Sequence, residues 1–460
     1  MYIFYLTFNF SFNPIIYRFM NNRKVYFWSL TVALGGFLFG FDTAVISGGE
    51  QAIQELWNLS DFMVGQMVGM ALYGTILGAI FGGIPTDKYG RRTTLFWVAI
   101  LYLSSAIGSA FAWDIYSLMF FRFIGGIGVG ASSVAAPMYI SEIAPAEKRG
   151  QLAALFQFNI VFGILIAFAS NYIIGSGENN GWRIMLGVEI IPAALFTYLI
   201  TKVPRSPRWL VVKKGLIDEA RTVLQMINPE KAEDALQEII QSAKEDEKKE
   251  KVAFFTAKYR KPILLAFLIA FFNQVSGINA IIYYAPRIFE DTGMGAESAL
   301  LSTVGIGIIN LIFTLLGLVL IDTWGRKKLM YLGSFGYIIS LSCVSYVFFT
   351  QAGSGSLLVP ILLFVFIASH AVGQGAVIWV FISEIFPNEV RSYGNAFGSS
   401  THWVFAALIS AFFPFLAGKF GGGLIFASFA LLMFLQLLWV WKFMPETRGI
   451  TLESIEKKLD

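Results

Sequence analysis

The chain has 460 residues and is 56% hydrophobic and 16% aromatic but only 14% charged, with a mean hydropathy of +0.65 and a formal net charge of +4. Soluble domains carry about 25% charged residues, so an ordinary soluble fold is excluded and a polytopic helical membrane protein is expected. A single cysteine, Cys343, excludes a disulfide framework, and two histidines, His370 and His402, argue against a His-based metal centre.

Residues 1–19 carry neither a basic leading segment nor a small-residue cleavage site, so they do not read as a signal peptide. A polar, basic approach follows Met20, and a start at Met20 would leave the leading residues dispensable. Apolar segments then recur at about 26–48, 62–84, 93–113, 116–140, 152–174, 182–203, 262–288, 299–321, 329–350, 357–383, 393–417 and 421–444. Each is long enough to cross a bilayer at about 1.5 Å per residue, which predicts an all-α protein of twelve transmembrane helices.

The first segment holds one interior charge, Asp42. A carboxylate at mid-membrane costs about 2.5–3.5 kcal/mol, so Asp42 has to face protein or water and either meet a cation or take a proton. The first helix leaves the membrane near Gly48, six residues past Asp42, or about 9 Å of rise. The fourth runs the opposite way from about Tyr116, which puts Arg122 at the same depth, and Glu189 in the sixth lies near that level. Asp42, Arg122 and Glu189 are therefore expected to form a proton-coupling cluster, with Asp42 the carrier and Arg122 its switchable partner.

Between the sixth and seventh segments lies the only long polar stretch, Arg205–Lys261. Leu216, Ala220, Val223, Leu224 and Ile227, and then Leu236, Ile239, Ile240 and Ala243, fall at helical spacing and predict short amphipathic surface helices. The expected division is an extension over 1–22, a six-helix bundle over 23–204, a linker over 205–261, a second bundle over 262–444 and a tail over 445–460. Lys and Arg concentrate in the even-numbered connections, so both termini and the linker are expected in the cytoplasm; Arg183, Arg287 and Lys419 break the pattern.

The chain repeats itself. DKYGRR at Asp87 matches DTWGRK at Asp322, SEIAPAEKRG at Ser141 matches SEIFPNEVRS at Ser383, and VPRSPRWL at Val203 matches MPETRG at Met444. Three pairs in register imply two pseudo-symmetric six-helix halves, the parallel-repeat plan of major facilitator transporters, with substrate bound between them. Asp87, Arg91, Arg92, Glu142, Arg149, Asp322, Arg326, Glu384 and Arg391 in these loops are expected to form a cytoplasmic gate that bridges the halves when that side closes.

Polar residues inside apolar spans mark a cavity. Gln157, Asn273, Gln274, Asn279 and Asn310 offer paired donors and acceptors, while Trp379 and Trp403 offer flat apolar faces. Either they meet neighbouring hydroxyls of a ligand or they join helix to helix at about 0.6 kcal/mol each. The glycines Gly78, Gly82, Gly83, Gly125, Gly126, Gly128 and Gly130 read as close-packing surfaces, since no Walker lysine follows them.

GRR after the second span, RFIGGIGVG at Arg122, SPRWL at Ser206, NQVSGIN at Asn273 and PETRG at Pro445 together resemble the sugar porter family, which includes proton-coupled xylose and galactose symporters and facilitative glucose transporters. The resemblance covers roughly 23–459. It implies twelve helices around a central sugar site and puts Gln157, Asn273, Gln274, Asn279, Asn310, Trp379, His402 and Trp403 at sugar-facing positions. It also places the family's coupling Asp and Arg at Asp42 and Arg122. Four departures bear on which sugar is carried: Arg205 stands for an acid, Asn273 for a glutamine, Ala376 for a proline and His402 for a glutamine.

The expected function is import of a monosaccharide by proton symport, in a monomer of the cell membrane. The partners are the sugar and the bilayer, with no nucleic acid or nucleotide and no cofactor beyond the coupling proton. A facilitative uniporter is the alternative, though uniporting relatives commonly lack the membrane acid; a transporter-like sugar sensor would carry a long signalling tail. No nucleophile–base or metal constellation suggests an enzyme.

Overall fold

The computed structural model describes residues 14–145, 148–175, 180–247, 252–352, 355–450 and 455; the side chains of residues 14–22, 149 and 245–247, and the leading residues through 13, lie outside the described residues. Among these the chain is all helical. Twelve helices are long and apolar enough to span a membrane. The first half contains Arg23–Gly48, Asp61–Phe81, Arg91–Ala110, Ile115–Ile143, Gly150–Ile174 and Gly181–Ile200. The second contains Ala257–Glu290, Ala296–Trp324, Arg326–Thr350, Leu358–Ile385, Arg391–Phe420 and Gly422–Lys442.

Small residues bring these helices together. A Cβ on Gly126 would sit 1.9 Å from the carbonyl oxygen of Ala71, and one on Gly74 would sit 2.1 Å from that of Phe123, so the second and fourth spans touch backbone to backbone. The first and fifth do the same, with Gly40 against the Ile160 carbonyl. Lipid offers no hydrophobic drive between helices, so such close van der Waals contact supplies much of the cohesion. Gly83 is the exception among the expected packing glycines, since nothing lies within 4 Å of its added Cβ.

Besides the sixth span, which pauses at Glu189 between Gly181–Val188 and Ile190–Ile200, two spans are interrupted. The seventh consists of Arg260–Val275 and Ile278–Glu290, separated at Gly277, whose φ of +87° only glycine adopts without strain. The tenth breaks at Gly373 (φ −85°, ψ −101°) between Leu358–Val372 and Gln374–Ile385. The loss of a proline at Ala376 therefore leaves an interrupted helix all the same. The breaks bend the chain beside Asn273, Gln274 and Asn279 in one span and beside Gln374 in the other. In the linker, Ile217–Ile227 and Ala232–Glu247 bury Ala220, Val223, Leu224 and Leu236 against Trp209 and Leu210.

The repeated motifs fold into repeated polar clusters. Arg91 donates from Nε to Glu142 Oε1 (3.1 Å) and from Nη1 to the Thr86 carbonyl (3.1 Å), while Ser206 donates to Glu142 Oε2 (2.5 Å). Arg326 likewise donates to both oxygens of Glu384 (3.1 and 2.7 Å) and to the Ile321 carbonyl (2.9 Å), and Thr447 donates to Glu384 Oε2 (2.6 Å). Asp87 and Asp322 pair with the same arginines at 3.1 and 3.4 Å. Arg92 donates to the Thr201 carbonyl and Arg391 to that of Phe386. None of these contacts joins one half to the other.

One difference between the two clusters changes how a helix is capped. Glu446 accepts from the backbone N–H groups of Arg326 and Lys327, both at 3.0 Å, and so caps the ninth span. Arg205, its counterpart, can accept nothing; its guanidinium lies 3.6 Å from Glu219 on the surface. Among the described residues no side chain is seen to cap the start of the third span.

Candidate functional site

A cavity of about 510 Å3 lies between the halves. Gln157, Asn273, Gln274, Asn279, Asn310, Trp379, His402 and Trp403 all line it. They come from spans five, seven, eight, ten and eleven, so folding collects residues up to 246 positions apart. Phe39, Thr43, Tyr283, Thr314 and His370 also line it and were missed by sequence reasoning. His370 sat in plain view as one of the chain's two histidines, both of which face this cavity.

The aromatic wall is continuous. The His402 ring lies 4.9 Å from those of both Trp379 and Trp403, centroid to centroid, and Trp403 meets Phe39 of the other half at 5.5 Å. The polar wall is tied together: Asn279 Nδ2 donates to Gln274 Oε1 (2.7 Å) and Gln274 Nε2 to Asn273 Oδ1 (2.8 Å). The Gln274 amide also lies 3.2 and 3.3 Å from the two ring nitrogens of His402. Thr314 donates to Asn310 Oδ1 at 3.4 Å, and the Tyr337 hydroxyl lies 2.6 Å from His370 Nδ1. Such a surface, flat apolar faces beside converging amides, suits a neutral polyol with one C–H face.

Beside the cavity, Arg122 Nη1 lies 3.6 Å from Asp42 Oδ1, with the arginine 1% and the aspartate 4% exposed. Glu189, 3% exposed, is within electrostatic reach of both. Arg122 Nε and Nη2 and Glu189 Oε1 have no hydrogen-bond partner among the described residues. At 3.6 Å the pair is an ion contact rather than a hydrogen bond, so the buried guanidinium is loosely held by Asp42 with a second buried acid, Glu189, nearby. Thr43, next to Asp42 in the chain, reaches the cavity.

At the end away from the motifs the halves are sealed. Arg287 donates from Nε to Glu50 Oε1 (2.8 Å), and from Nη2 to Glu50 Oε2 and Gln54 Oε1 (both 2.5 Å). Phe62 of the second span packs edge-on against Phe412 and Phe415 of the eleventh. Arg287 and Arg183 had broken the positive-inside pattern, and both are accounted for. Arg183 donates to the carbonyls of Ala110 and Ala112 at 3.1 and 2.6 Å, whereas Arg287 joins the halves. A basic residue on the wrong side was the available signal. At the motif end the cavity extends to Gly150, Ala153 and Ala154, at the start of the fifth span.

The family described as sugar (and other) transporter matches residues 28–459. The chain is 40% identical to a D-xylose transporter of Levilactobacillus brevis, covering 95% of each protein. It is 36% identical to the arabinose-proton symporter of Bacillus subtilis (93% of this chain, 94% of that one). It is also 36% identical to the D-xylose-proton symporter of Escherichia coli K12 (95% and 96%). Among solved structures it resembles the inward open conformation of the E. coli xylose transporter XylE, with a TM-score of 0.84 at 34% identity over 95% of this chain and all of that one. The same protein bound to 6-bromo-6-deoxy-D-glucose gives 0.76 at 34% identity, over 96% of this chain and all of that one. A cavity sealed at one end and reaching the other fits the better match to the inward open form. With a twelve-span major facilitator fold and a family match over nearly its whole length, the chain belongs to the sugar transporter family of membrane proteins.

Proposed function

We propose that this protein imports a monosaccharide by proton symport, with sugar bound in the central cavity and alternating access between the two halves. The observation that carries this reading is the buried Asp42–Arg122 contact beside a cavity walled by amides and tryptophans. Gln157, Asn273, Gln274, Asn279, Asn310, Trp379, His402 and Trp403 would contact sugar. Asp42 would carry the proton, with Arg122 and Glu189 setting when it is held. As the helices move, the separation of Arg122 from Asp42 would change whether the aspartate holds its proton, so proton loading follows conformation.

The two motif clusters would form the cytoplasmic gate, each closed within its own half while the cavity faces that side. With the basic loops cytoplasmic, both termini would lie on the cytoplasmic side of the cell membrane, and the Glu50–Arg287 contact would close the outer side. The bundle divisions at 23–204 and 262–444, joined by the linker, move as the two bodies. A monomer suffices, because both walls of the cavity come from one chain. No cofactor takes part.

Purified protein in proteoliposomes, offered a panel of labelled pentoses and hexoses, should accumulate at least one of them when an inward proton gradient is imposed. Uptake that only equilibrates and ignores the gradient would make it a uniporter.

A further inference from the structure

Behind the cavity runs a single-file chain of side-chain hydrogen bonds. Asn279 donates to Gln274, and Gln274 to Asn273, as above. Asn273 Nδ2 then donates to Gln374 Oε1 (3.4 Å), Gln374 Nε2 to Gln436 Oε1 (2.8 Å), and Gln436 Nε2 to Ser334 Oγ (2.9 Å). Ser334 Oγ donates to the Met330 carbonyl (2.7 Å). The chain joins spans seven, ten, twelve and nine. Gln374, Gln436 and Ser334 are each 0% exposed, and none of them lines the cavity.

The direction of the chain is set at its far end. A backbone carbonyl can only accept, so the Ser334 proton is committed to Met330 and its oxygen is left to accept from Gln436. The Gln436 amide is then held one way round, with its oxygen toward Gln374, and the same choice passes to Asn273, Gln274 and Asn279. An amide turned by half a revolution exchanges donor for acceptor, and in this buried chain a turned interior amide would set N–H against N–H on one side and oxygen against oxygen on the other.

We propose that Gln374 and Gln436 are positioning residues for sugar selection. Through Ser334 they fix the orientation of the Asn273, Gln274 and Asn279 amides, and so fix which hydroxyl configurations the cavity accepts. This rests on the reading of the cavity as a sugar site. Epimeric sugars differ in the direction of one hydroxyl, and a site with a fixed donor and acceptor rejects the wrong one because a buried group is left unpaired. With the back of the chain removed, Asn273 loses its acceptor and either amide orientation becomes available.

The test compares wild type with Gln374→Met/Gln436→Met, which removes both partners of the central bond at nearly constant volume and leaves the Asn273 amide free to turn. Thermal midpoint, affinities for pentoses and hexoses differing at single carbons, and KM and Vmax for the best sugar are measured. The variant should melt near wild type, and its affinity ratio between preferred and disfavoured epimers should fall by about tenfold, the worth of one fixed hydrogen bond. KM should rise with little change in Vmax. Ser334→Ala frees the same chain with a smaller change and should reduce the ratio in the same direction, which keeps the test decisive if the double variant does not fold. An unchanged epimer ratio in a folded variant, or a uniform loss for all sugars, would overturn the positioning role. If wild type binds no sugar in the panel, the sugar-site reading fails and this proposal fails with it.

Discussion

Arg287 of the seventh span grips both carboxylate oxygens of Glu50, which stands in the short helix after the first span and is 0% exposed. The two residues lie 237 positions apart and belong to opposite halves. Asp61 Oδ1, at 3.7 Å, and the Gln54 amide complete the shell of the guanidinium. A charge-assisted contact of this kind is worth about 1.5–3 kcal/mol, and it exists only while the two ends touch. Glu50→Gln should therefore shift the population toward the form open at this end by about tenfold or more, read from spin-label distances between the second and eleventh spans. An unchanged distance distribution would show that the ring contacts of Phe62 hold the closure without the ion pair.

The same latch predicts a pH response. Burial pushes the Glu50 carboxyl above the usual carboxylate range; Arg287 pulls it back, and Glu290 and Asp291 add to the rise. A raised acid takes its proton early as pH falls, so the ionised contact is complete only above its shifted pKa and is lost as pH drops through it. Acidification on that side should open the latch in wild type, while Glu50→Gln should be open at every pH. A wild-type distance distribution that does not move on acidification would count against this.

Asp42→Asn resembles the protonated aspartate and leaves Arg122 without its 3.6 Å partner. Gradient-driven accumulation should be abolished, while sugar binding measured on the purified variant stays within about threefold of wild type. Accumulation at the wild-type level would exclude Asp42 as the carrier.

His402 lies between Trp379 and Trp403 with the Gln274 amide at 3.2 Å, a position suited to contacting substrate. His402→Gln should change the order of sugar preference and leave the response to the proton gradient intact. If coupling disappears while affinity holds, the imidazole belongs to the proton path instead.

Arg205→Glu should stabilise the protein. In the second half Glu446 accepts from helix N–H groups; burial pushes its carboxyl up, yet the backbone N–H groups of Arg448, Lys327, Arg326 and Thr447 hold it below the usual range. The first half has an exposed arginine in the same place. A carboxylate there would cap the third span, worth about 1 kcal/mol, against the small loss of the surface contact with Glu219. The thermal midpoint should rise at neutral pH, and that gain should vanish as pH falls through the carboxylate range; a lower midpoint at neutral pH would mean that the halves are not equivalent here.

Composition and periodicity determined the membrane class and the twelve spans, because a bilayer imposes one length and one polarity on every crossing segment. The depth of Asp42 and Arg122 could be counted from the sequence, since helical rise is constant, and the two side chains do lie side by side. Gln157, Asn273 and Trp403 could be singled out because a polar or amphipathic residue inside a span must face something other than lipid. What each one faces was decided only by the tertiary structure. Gln374 and Gln436 are glutamines in apolar spans just as Gln157 is, yet Gln157 lines the cavity while the other two meet each other behind it. Sequence carries no sign of that difference, because it depends on the rotation of three helices about one another. The break in the tenth span fell at Gly373, without the proline that resemblance led one to look for. The Glu50–Arg287 latch joins two stretches that periodicity treats as loop and helix end. Long-range pairing of this kind follows from how the two halves meet, a choice made by packing over the whole interface.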